Sequence, residues 1–389
     1  MDEILGLNIN EMSEYSFECS CGRTHSVDIK HIITGSDVYN ELPEVLSAFK
    51  AGKIFLIADI NTYEVLGGRV EELLCKQGFR LKTFTFKTKA PIIPDERAIG
   101  RLLVEMDRDI SVILAVGSGS LNDIARILSC RLGIPYIIAA TAPSMDGYAS
   151  VVSPLIIDGF KFTYDGVYPY AVLADTGIMK KAPAEMINAG FGDVLGKLTA
   201  LTDWELSRKL NGEYHCQTSV TLVQNAINKC IENAEGLARR DENAIKYLIE
   251  ALILTGIAMG LVGNSRPASG AEHHLAHFWE MDALARGVEH PLHGNSVGVG
   301  TVVVSSVYEL MASKIPLDIQ FPKAGYVSGL LRKANSHADP ASLGIGRELF
   351  KRSVIHACEI RERFTILRLA ASNGRLEEIA DILTERFYG

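Results

Sequence analysis

Three short segments of the chain gather side chains suited to holding a metal ion. NAGFGDVLGK contains Asp193, SRPASGAEHHLAHFWE contains His273, His274 and His277, and EHPLHGNSVG contains His290 and His293. Half of the ten histidines fall between positions 273 and 293, a density that scattered hydrogen-bonding histidines do not produce. His273 and His277 are four residues apart, so on a helix their rings share one face about 6 Å apart. One carboxylate with two imidazoles makes a three-ligand divalent site that keeps open positions for substrate, the catalytic rather than the structural arrangement. Spacing alone leaves two possibilities open. Both rings of the HxxxH pair can chelate one metal, or one ring can bind it while the other touches substrate. His215 and His356 stand alone and are read as structural.

A second set of residues suits a phosphate. GSGSLND, Gly117 to Asp123, follows a buried strand-like run and opens a helix. Glycines there let backbone approach a pyrophosphate, and the helix N-terminus turns its amides and positive dipole end toward the negative charge. A third glycine is missing, because Asn122 stands in its place. Asp59 ends another strand-like run, where a carboxylate can bind ribose hydroxyls and disfavour the extra phosphate of NADP. TAPSMDGYAS adds hydroxyls at Thr141, Ser144 and Ser150, with Asp146 as a candidate substrate contact; the competing reading is an Asp-Gly turn with capping hydroxyls. CSCGRTH offers Cys19, Cys21 and His25, which lack the fourth ligand of a closed zinc site, so surface thiols are expected before an accessory metal site. Cys75, Cys130, Cys216, Cys230 and Cys358 are expected to pack singly in cores.

The elements that must carry these residues differ between the two halves. KIFLIAD (53–59), RLKTFTF (80–86), SVILAVG (111–117) and YIIAATA (136–142) read as strands, with helices over 63–77 and 121–132 between them. Strands separated by helices imply crossovers and a mostly parallel sheet, whose ligands sit beyond the strand carboxyl ends. After about residue 180 the patterns are helical: 184–210, 219–240, 243–262 and 347–371. The β-branched run 295–311 is read as a buried helix because of its length and surroundings. The expected fold is thus an α/β nucleotide-binding domain over 1–180 and an all-α domain over 181–389, with a small-ligand cleft between them.

The 389 residues are 47% hydrophobic and 22% charged, with a net charge of −8. That is ordinary globular composition, and its acidic balance argues against wrapping a nucleic acid. The acidic start lacks a secretory signal, the apolar run 251–263 is too short to span a bilayer, and seven cysteines make no disulfide framework. A cytoplasmic protein without a membrane span is expected.

Together, AVGSGSLNDIAR, TAPSMDGYAS, GFGDVLGK, SRPASGAEHHLAHFWE and LHGNSVG, in that order, resemble the sn-glycerol-1-phosphate dehydrogenases, most closely their bacterial branch. These lie within the metal-dependent glycerol dehydrogenase and dehydroquinate synthase-like superfamily. The similarity covers nearly the whole chain after about residue 30, and the histidine-rich segment is its most specific part. It implies that Asp59, Gly119, Ser120, Leu121, Asn122, Asp123, Thr141, Ala142, Pro143, Ser144 and Ser150 bind NAD or NADP. It implies Asp193, His273 and His293 as ligands of one divalent metal, with zinc and nickel foremost among ions suited to imidazole and carboxylate. Asp146, Asp193 and His277 would contact substrate, with Asp146 and His277 as catalytic groups and His277 as a proton relay. His274 matches no ligand position. The implied reaction interconverts dihydroxyacetone phosphate and sn-glycerol 1-phosphate; a glycerol dehydrogenase or a dehydroquinate synthase-like lyase is the alternative on the same fold. Ser265, Arg266, Ser269 and Lys197 are candidates for the substrate phosphate, and a homo-oligomer is expected.

Overall fold

The computed structural model describes residues 3–389. Six strands form one parallel sheet: β3 (His31–Gly35), β4 (Lys53–Asp59), β5 (Arg80–Phe86), β6 (Ile110–Gly117), β7 (Tyr136–Ala140) and β10 (Ala171–Asp175), in the order β3-β10-β7-β6-β4-β5. Two antiparallel ribbons flank it, β1 (Ser16–Glu18) with β2 (Thr24–Ser26), and β8 (Val152–Ile157) with β9 (Phe160–Asp165). The central strands are apolar through their middles because both faces are covered. In β4, Phe55 and Ile57 enter one core cluster, whereas Ile54, Leu56 and Ala58 enter another on the opposite face. Between β4 and β6 the strand order reverses, which leaves a crevice at their carboxyl ends. Asp59 and Gly117 are the last residues of those two strands.

Counting helices of seven or more residues, the sheet half carries α1 (Gly68–Lys76), α2 (Glu96–Glu105) and α3 (Gly119–Leu132). The rest of the chain is helical: α4 (Ala184–Asn211), α5 (Gln217–Glu232), α6 (Glu242–Val262), α7 (Ala271–Arg286), α8 (His293–Leu310), α9 (Ala324–Lys333), α10 (Arg347–His356), α11 (Ile366–Ser372) and α12 (Leu376–Tyr388). The β-branched run expected as a helix is α8, buried continuously from Gly294 to Tyr308, so burial overrides its weak helix propensity. The apolar run 251–263 is part of the helix expected over 243–262, which spans 21 residues and is by length and composition long and apolar enough to cross a membrane. Most of it is nonetheless buried against the rest of the protein. One core cluster joins sheet residues such as Ile57 and Ile113 to Val194, Leu252 and Ile257 of the helices.

The structure corrects several expectations. The single helix over 347–371 breaks after His356 and resumes at Ile366, because Asp203 accepts the Ile366 N–H (2.8 Å) and Arg363 turns inward to Ser269 O and Ser265 Oγ (2.6 and 2.9 Å). The helix over 219–240 stops at Glu232 and is followed by a short turn, Ala234–Ala238. Cys75 is exposed on α1 rather than packed in a core. Cys19 and His25 are buried rather than on the surface, and Cys216 lies beside them instead of alone.

Close approach of backbone to backbone brings α4 against both α8 and the loop after β7. A Cβ on Gly192 of α4 would overlap the Gly294 carbonyl of α8, and one on Gly190 would overlap the Pro143 carbonyl in the loop after β7. Glycine at these places lets both neighbours lie against α4 within one turn of Asp193. Because backbone cannot swing aside as a side chain can, Gly190→Ala should lower the stability by about 1–3 kcal/mol or more in urea unfolding. Gly100, on α2, has open space around its Cα, so Gly100→Ala should be neutral or stabilising by up to about 1 kcal/mol. Equal effects of the two substitutions would refute the packing argument.

Candidate active site between the sheet and the helices

Helix α7 brings His273, His274 and His277, and the first turn of α8 brings His293. The rings of His273 and His277 lie 6.2 Å apart, those of His273 and His293 5.3 Å, and those of His277 and His293 5.2 Å. Each of the three is held at Nδ1 by a buried carboxylate. Glu272 meets His273 Nδ1 at 2.8 Å, and Glu280 meets His293 Nδ1 at 2.6 Å and His277 Nδ1 at 3.3 Å. An imidazole fixed at Nδ1 by a carboxylate presents Nε2 as a lone-pair donor, the usual support of a metal-binding histidine. His273 Nε2 lies 3.7 Å from Asp193 Oδ1. Burial, reinforced by Lys197 and His293, holds the His273 pKa well below the ordinary range, so the ring is neutral and able to ligate. Burial likewise lowers His277, with Lys161 adding to it.

A triad of His277, Glu280 and His293 has its potential ligand atoms within 4.8 Å of one another. Glu280 meets the Nδ1 side of both rings, and its Oε2 also takes the Lys161 ammonium at 2.5 Å. Burial opposes its charge, but Lys161 and His293 outweigh it and hold its pKa well below the carboxylate range. Glu280 therefore suits an orienting carboxylate, and the donor chemistry of Asp193 with the Nε2 atoms fits a divalent ion better.

Asp193 is fully buried. Its Oδ2 accepts the Asp146 N–H at 2.9 Å, which ties α4 to the loop after β7, and its Oδ1 pairs with Lys197 one turn on. Lys197 also reaches Asp146 Oδ2 at 2.8 Å. Burial works against the Lys197 charge, yet Asp146 and Asp193 prevail and hold its pKa up at about 12. Lys197 is thus a permanent cation between the two aspartates.

On the sheet side, Gly117 and Ser118 lead into α3, whose open N-terminal amides are those of Gly119, Ser120 and Leu121. Asn122 N–H closes the first turn on Ser118 O (3.0 Å), and its side chain donates to Gly147 O (2.9 Å). The turn is packed against the neighbouring loop through Thr141 N–H to Gly117 O at 3.0 Å, with Ala142 and Pro143 following. Asp59 caps the helical turn after β4, its Oδ1 accepting Thr62 N–H at 2.8 Å. Ser144 closes a tight turn through its N–H on Ala142 O (3.0 Å). The buried Ser150 hydroxyl accepts the Val152 N–H at 3.1 Å. The Asp123 carboxylate turns inward onto the buried Arg126 (2.7 Å), and burial raises its pKa to about 6 against that partner's pull. The side chains of Ser150 and Asp123 therefore brace this region.

Several residues fall outside the cluster or were not foreseen. Arg266 forks onto Glu213, by Nε at 2.7 Å and by Nη2, and donates to Phe364 O (2.9 Å), so it is an internal ion pair rather than a phosphate ligand. Ser265 and Ser269 face Arg363. His290 is exposed and meets Pro291 O. His274 is buried against an arginine-rich side, where burial first and Arg363 next push its pKa down to about 3. Sequence reading missed Glu272 and Glu280, although both lie within the histidine segment at spacings that place them beside His273 and His277. It also missed Lys161 on β9 and Arg361, whose guanidinium lies 3.5 Å from His277 Nε2.

Replacing Glu280 by Gln keeps the shape but removes the charge that aligns two imidazoles. Glu280→Gln should weaken divalent-metal affinity roughly 10–100-fold in a chelator competition. Unaltered affinity would show that the carboxylate does not support ligation.

Residues 33–183 match the model of the iron-containing alcohol dehydrogenase family. The chain is 34% identical to the glycerol-1-phosphate dehydrogenase, NAD(P)+, of Halalkalibacterium halodurans, over 92% of this chain and 96% of that protein. It is 33% identical to the protein of the same name from Bacillus subtilis (93% and 96%), and 31% identical to that of Thermococcus kodakarensis (92% and 97%). Among solved structures, the fold is shared with glycerol dehydrogenase from Schizosaccharomyces pombe, with a TM-score of 0.69 at 16% identity over 91% of this chain and 90% of that one. It is shared also with iron-containing alcohol dehydrogenase from Corynebacterium glutamicum, with a TM-score of 0.67 at 14% identity over 92% and 96%. By its identity to these relatives across nearly their full length, the chain belongs to the glycerol-1-phosphate dehydrogenase family.

Proposed function

We propose that the protein is a metal-dependent NAD(P)H oxidoreductase that interconverts dihydroxyacetone phosphate and sn-glycerol 1-phosphate. The observation that carries this reading is the set of imidazoles fixed at Nδ1 by Glu272 and Glu280, next to a buried aspartate and opposite a glycine turn at a helix N-terminus. Family membership supports the substrate class and the nicotinamide cofactor. A divalent cation, zinc or nickel foremost, supplies a Lewis acid for a ketone oxygen, and the nicotinamide supplies hydride.

The chain's own residues do the rest. Asp193, His273 and His293 would hold the cation. The amides of Gly119, Ser120 and Leu121 would receive the cofactor pyrophosphate, and Asp59 at the neighbouring strand end the adenine ribose. Lys197 keeps Asp146 and Asp193 in fixed positions, so that Asp146 can meet a substrate hydroxyl. His277, held at Nδ1 by Glu280, presents an Nε2 lone pair that can accept the proton of a substrate hydroxyl in the oxidation direction and return it to the oxygen in the reduction direction. Arg361, beside that same Nε2, provides a cation for the substrate phosphate, assisted by Lys161.

Purified protein supplied with a divalent ion should oxidise NADH with dihydroxyacetone phosphate, and chiral analysis should identify the sn-1 product. Turnover of glycerol in preference to glycerol 1-phosphate would favour a glycerol dehydrogenase, and substrate loss without net NADH oxidation a lyase. His273→Ala and Asp193→Ala should abolish both activity and metal retention while circular dichroism stays native; full turnover in a metal-stripped His273→Ala protein would overturn the scheme. For the phosphate contact, a lost charge-assisted bond of about 1.5–3 kcal/mol predicts a fall of roughly 10–100-fold in kcat/KM for dihydroxyacetone phosphate in Arg361→Ala, mostly through KM. Unphosphorylated dihydroxyacetone should be affected far less, and equal losses on both substrates would remove Arg361 from this role.

A further inference from the structure

The N-terminal ribbon holds a second cluster of metal-ligating side chains that shares no residue with the catalytic crevice. The turn between β1 and β2 carries Cys19 and Cys21, β2 carries His25, and Cys216 arrives from the far half of the sequence at the N-cap of α5. Cys19 Sγ and Cys216 Sγ are 3.7 Å apart, Cys216 Sγ and His25 Nε2 3.5 Å, and Cys21 Sγ and His25 Nε2 3.2 Å. All four ligand atoms lie within 4.8 Å of one another. We propose that Cys19, Cys21, His25 and Cys216 form a closed, tetrahedral Cys3His site for a structural divalent metal of the zinc type.

Three features carry this inference. First, metal–sulfur bonds of ~2.3 Å and metal–nitrogen bonds of ~2.0–2.1 Å on a tetrahedron give ligand separations of about 3.8 Å (S to S) and about 3.6 Å (S to N), close to those present. A disulfide needs two sulfurs and would leave a third thiol and an imidazole converging without purpose. Second, hydrogen-bond donors and a helix N-terminus lie against the sulfurs. Cys21 N–H points to Cys19 Sγ (3.5 Å), the Tyr214 hydroxyl lies 3.2 Å from Cys21 Sγ, and the first turn of α5 faces Cys216. Three thiolates on a divalent ion leave one net negative charge, and the Arg23 guanidinium stacks 3.5 Å above the Tyr214 ring beside it. Third, the turn is built for the purpose: Gly22 adopts φ +83°, the left-handed conformation that reverses the chain between Cys21 and His25. Four protein ligands leave no open position, so the role is structural. The ion would clamp the ribbon to the helical half across 191 positions of sequence, with up to three thiol protons released to solvent on binding.

Cobalt(II) distinguishes this site from the catalytic one, because only thiolate ligands give an intense sulfur-to-metal charge-transfer band. Full-length protein stripped by chelation and titrated anaerobically with cobalt(II) should develop that band to roughly one equivalent. The band should persist in His273→Ala, which empties the crevice, and lose intensity or vanish in Cys21→Ser and Cys216→Ser, each of which leaves two thiolates. If Cys216→Ser fails to fold, His25→Gln serves in its place and should shift or abolish the band. Chelation should lower the melting temperature of His273→Ala protein and leave that of the His273→Ala/Cys21→Ser double variant unchanged. Cobalt-loaded wild-type protein lacking the band, a band undiminished in all the cysteine variants, or a Cys19–Cys216 disulfide found by mass spectrometry in freshly purified protein would each overturn the proposal.

Discussion

The catalytic geometry depends on carboxylates buried beneath a single helix. Asp203 takes the Tyr308 hydroxyl at 2.6 Å and the N–H groups of Ala271 and Ile366 at 2.8 Å each, so it pins the start of α7 to α8 and α11. One residue into that helix, Glu272 accepts Gly270 N–H (2.6 Å) and the Thr199 hydroxyl (2.7 Å) and aims His273. Two turns further, Glu280 aims His277 and His293. Taking a carboxylate out of water costs several kcal/mol, and it is tolerated only where hydrogen bonds and cations replace the lost hydration. Burial raises the pKa of Asp203 to about 7, with Glu272 nearby adding to it. A fold optimised for stability alone would bury apolar residues here. The carboxylates hold ring orientations that apolar packing cannot specify.

The crevice itself follows from where the two halves touch. The sheet offers its strand ends at the reversal of strand order, and α4 closes over them because Gly190 admits the Pro143 carbonyl. The Asp146 N–H then reaches Asp193, and Lys161 from the β8–β9 ribbon reaches Glu280 on α7. The first bridge joins a residue that would touch substrate to one that would hold the metal, and the second joins a cation near the substrate to the carboxylate that orients two imidazoles. A displacement of either half would therefore disturb binding and metal ligation together, which favours a fixed crevice at its base. The shared hydrophobic cluster beneath it acts in the same direction.

Much of this was legible in the sequence, for identifiable reasons. Strands buried on both faces announce themselves as apolar runs, and β4 and β6 lie within a residue of the segments read that way, whereas the edge strand β5 is legible from its alternation. The histidines of 273–293 were legible as a cluster because five in so short a span defy chance. What escaped reading depends on tertiary partners. Arg361 and Arg363 lie in a stretch whose local pattern is helical, and only the pull of Asp203, Ser265 and Ser269 opens it into a loop. Arg266 looked like a phosphate ligand because its partner Glu213 is 53 positions away. Cys216 looked solitary for the same reason: nothing near it in sequence reveals Cys19 and His25 across the fold.

The supporting groups also explain how one architecture can serve several reactions. A glycerol dehydrogenase and an iron-containing alcohol dehydrogenase share this fold at 16% and 14% identity. What persists over such distance is the shape: a parallel sheet with its reversal point, capped by helices. The chemistry lies in side chains placed on that shape, and here these divide by origin. The imidazoles and Asp193 lie on long helices whose positions the core fixes, whereas Arg361 comes from a loop between helices and Lys161 from a surface ribbon. Loops and ribbons can change in length and sequence without disturbing the core. A charge supplied by a loop or ribbon is therefore the part of such a site most easily gained or lost, and side chains on helices fixed by the core the least.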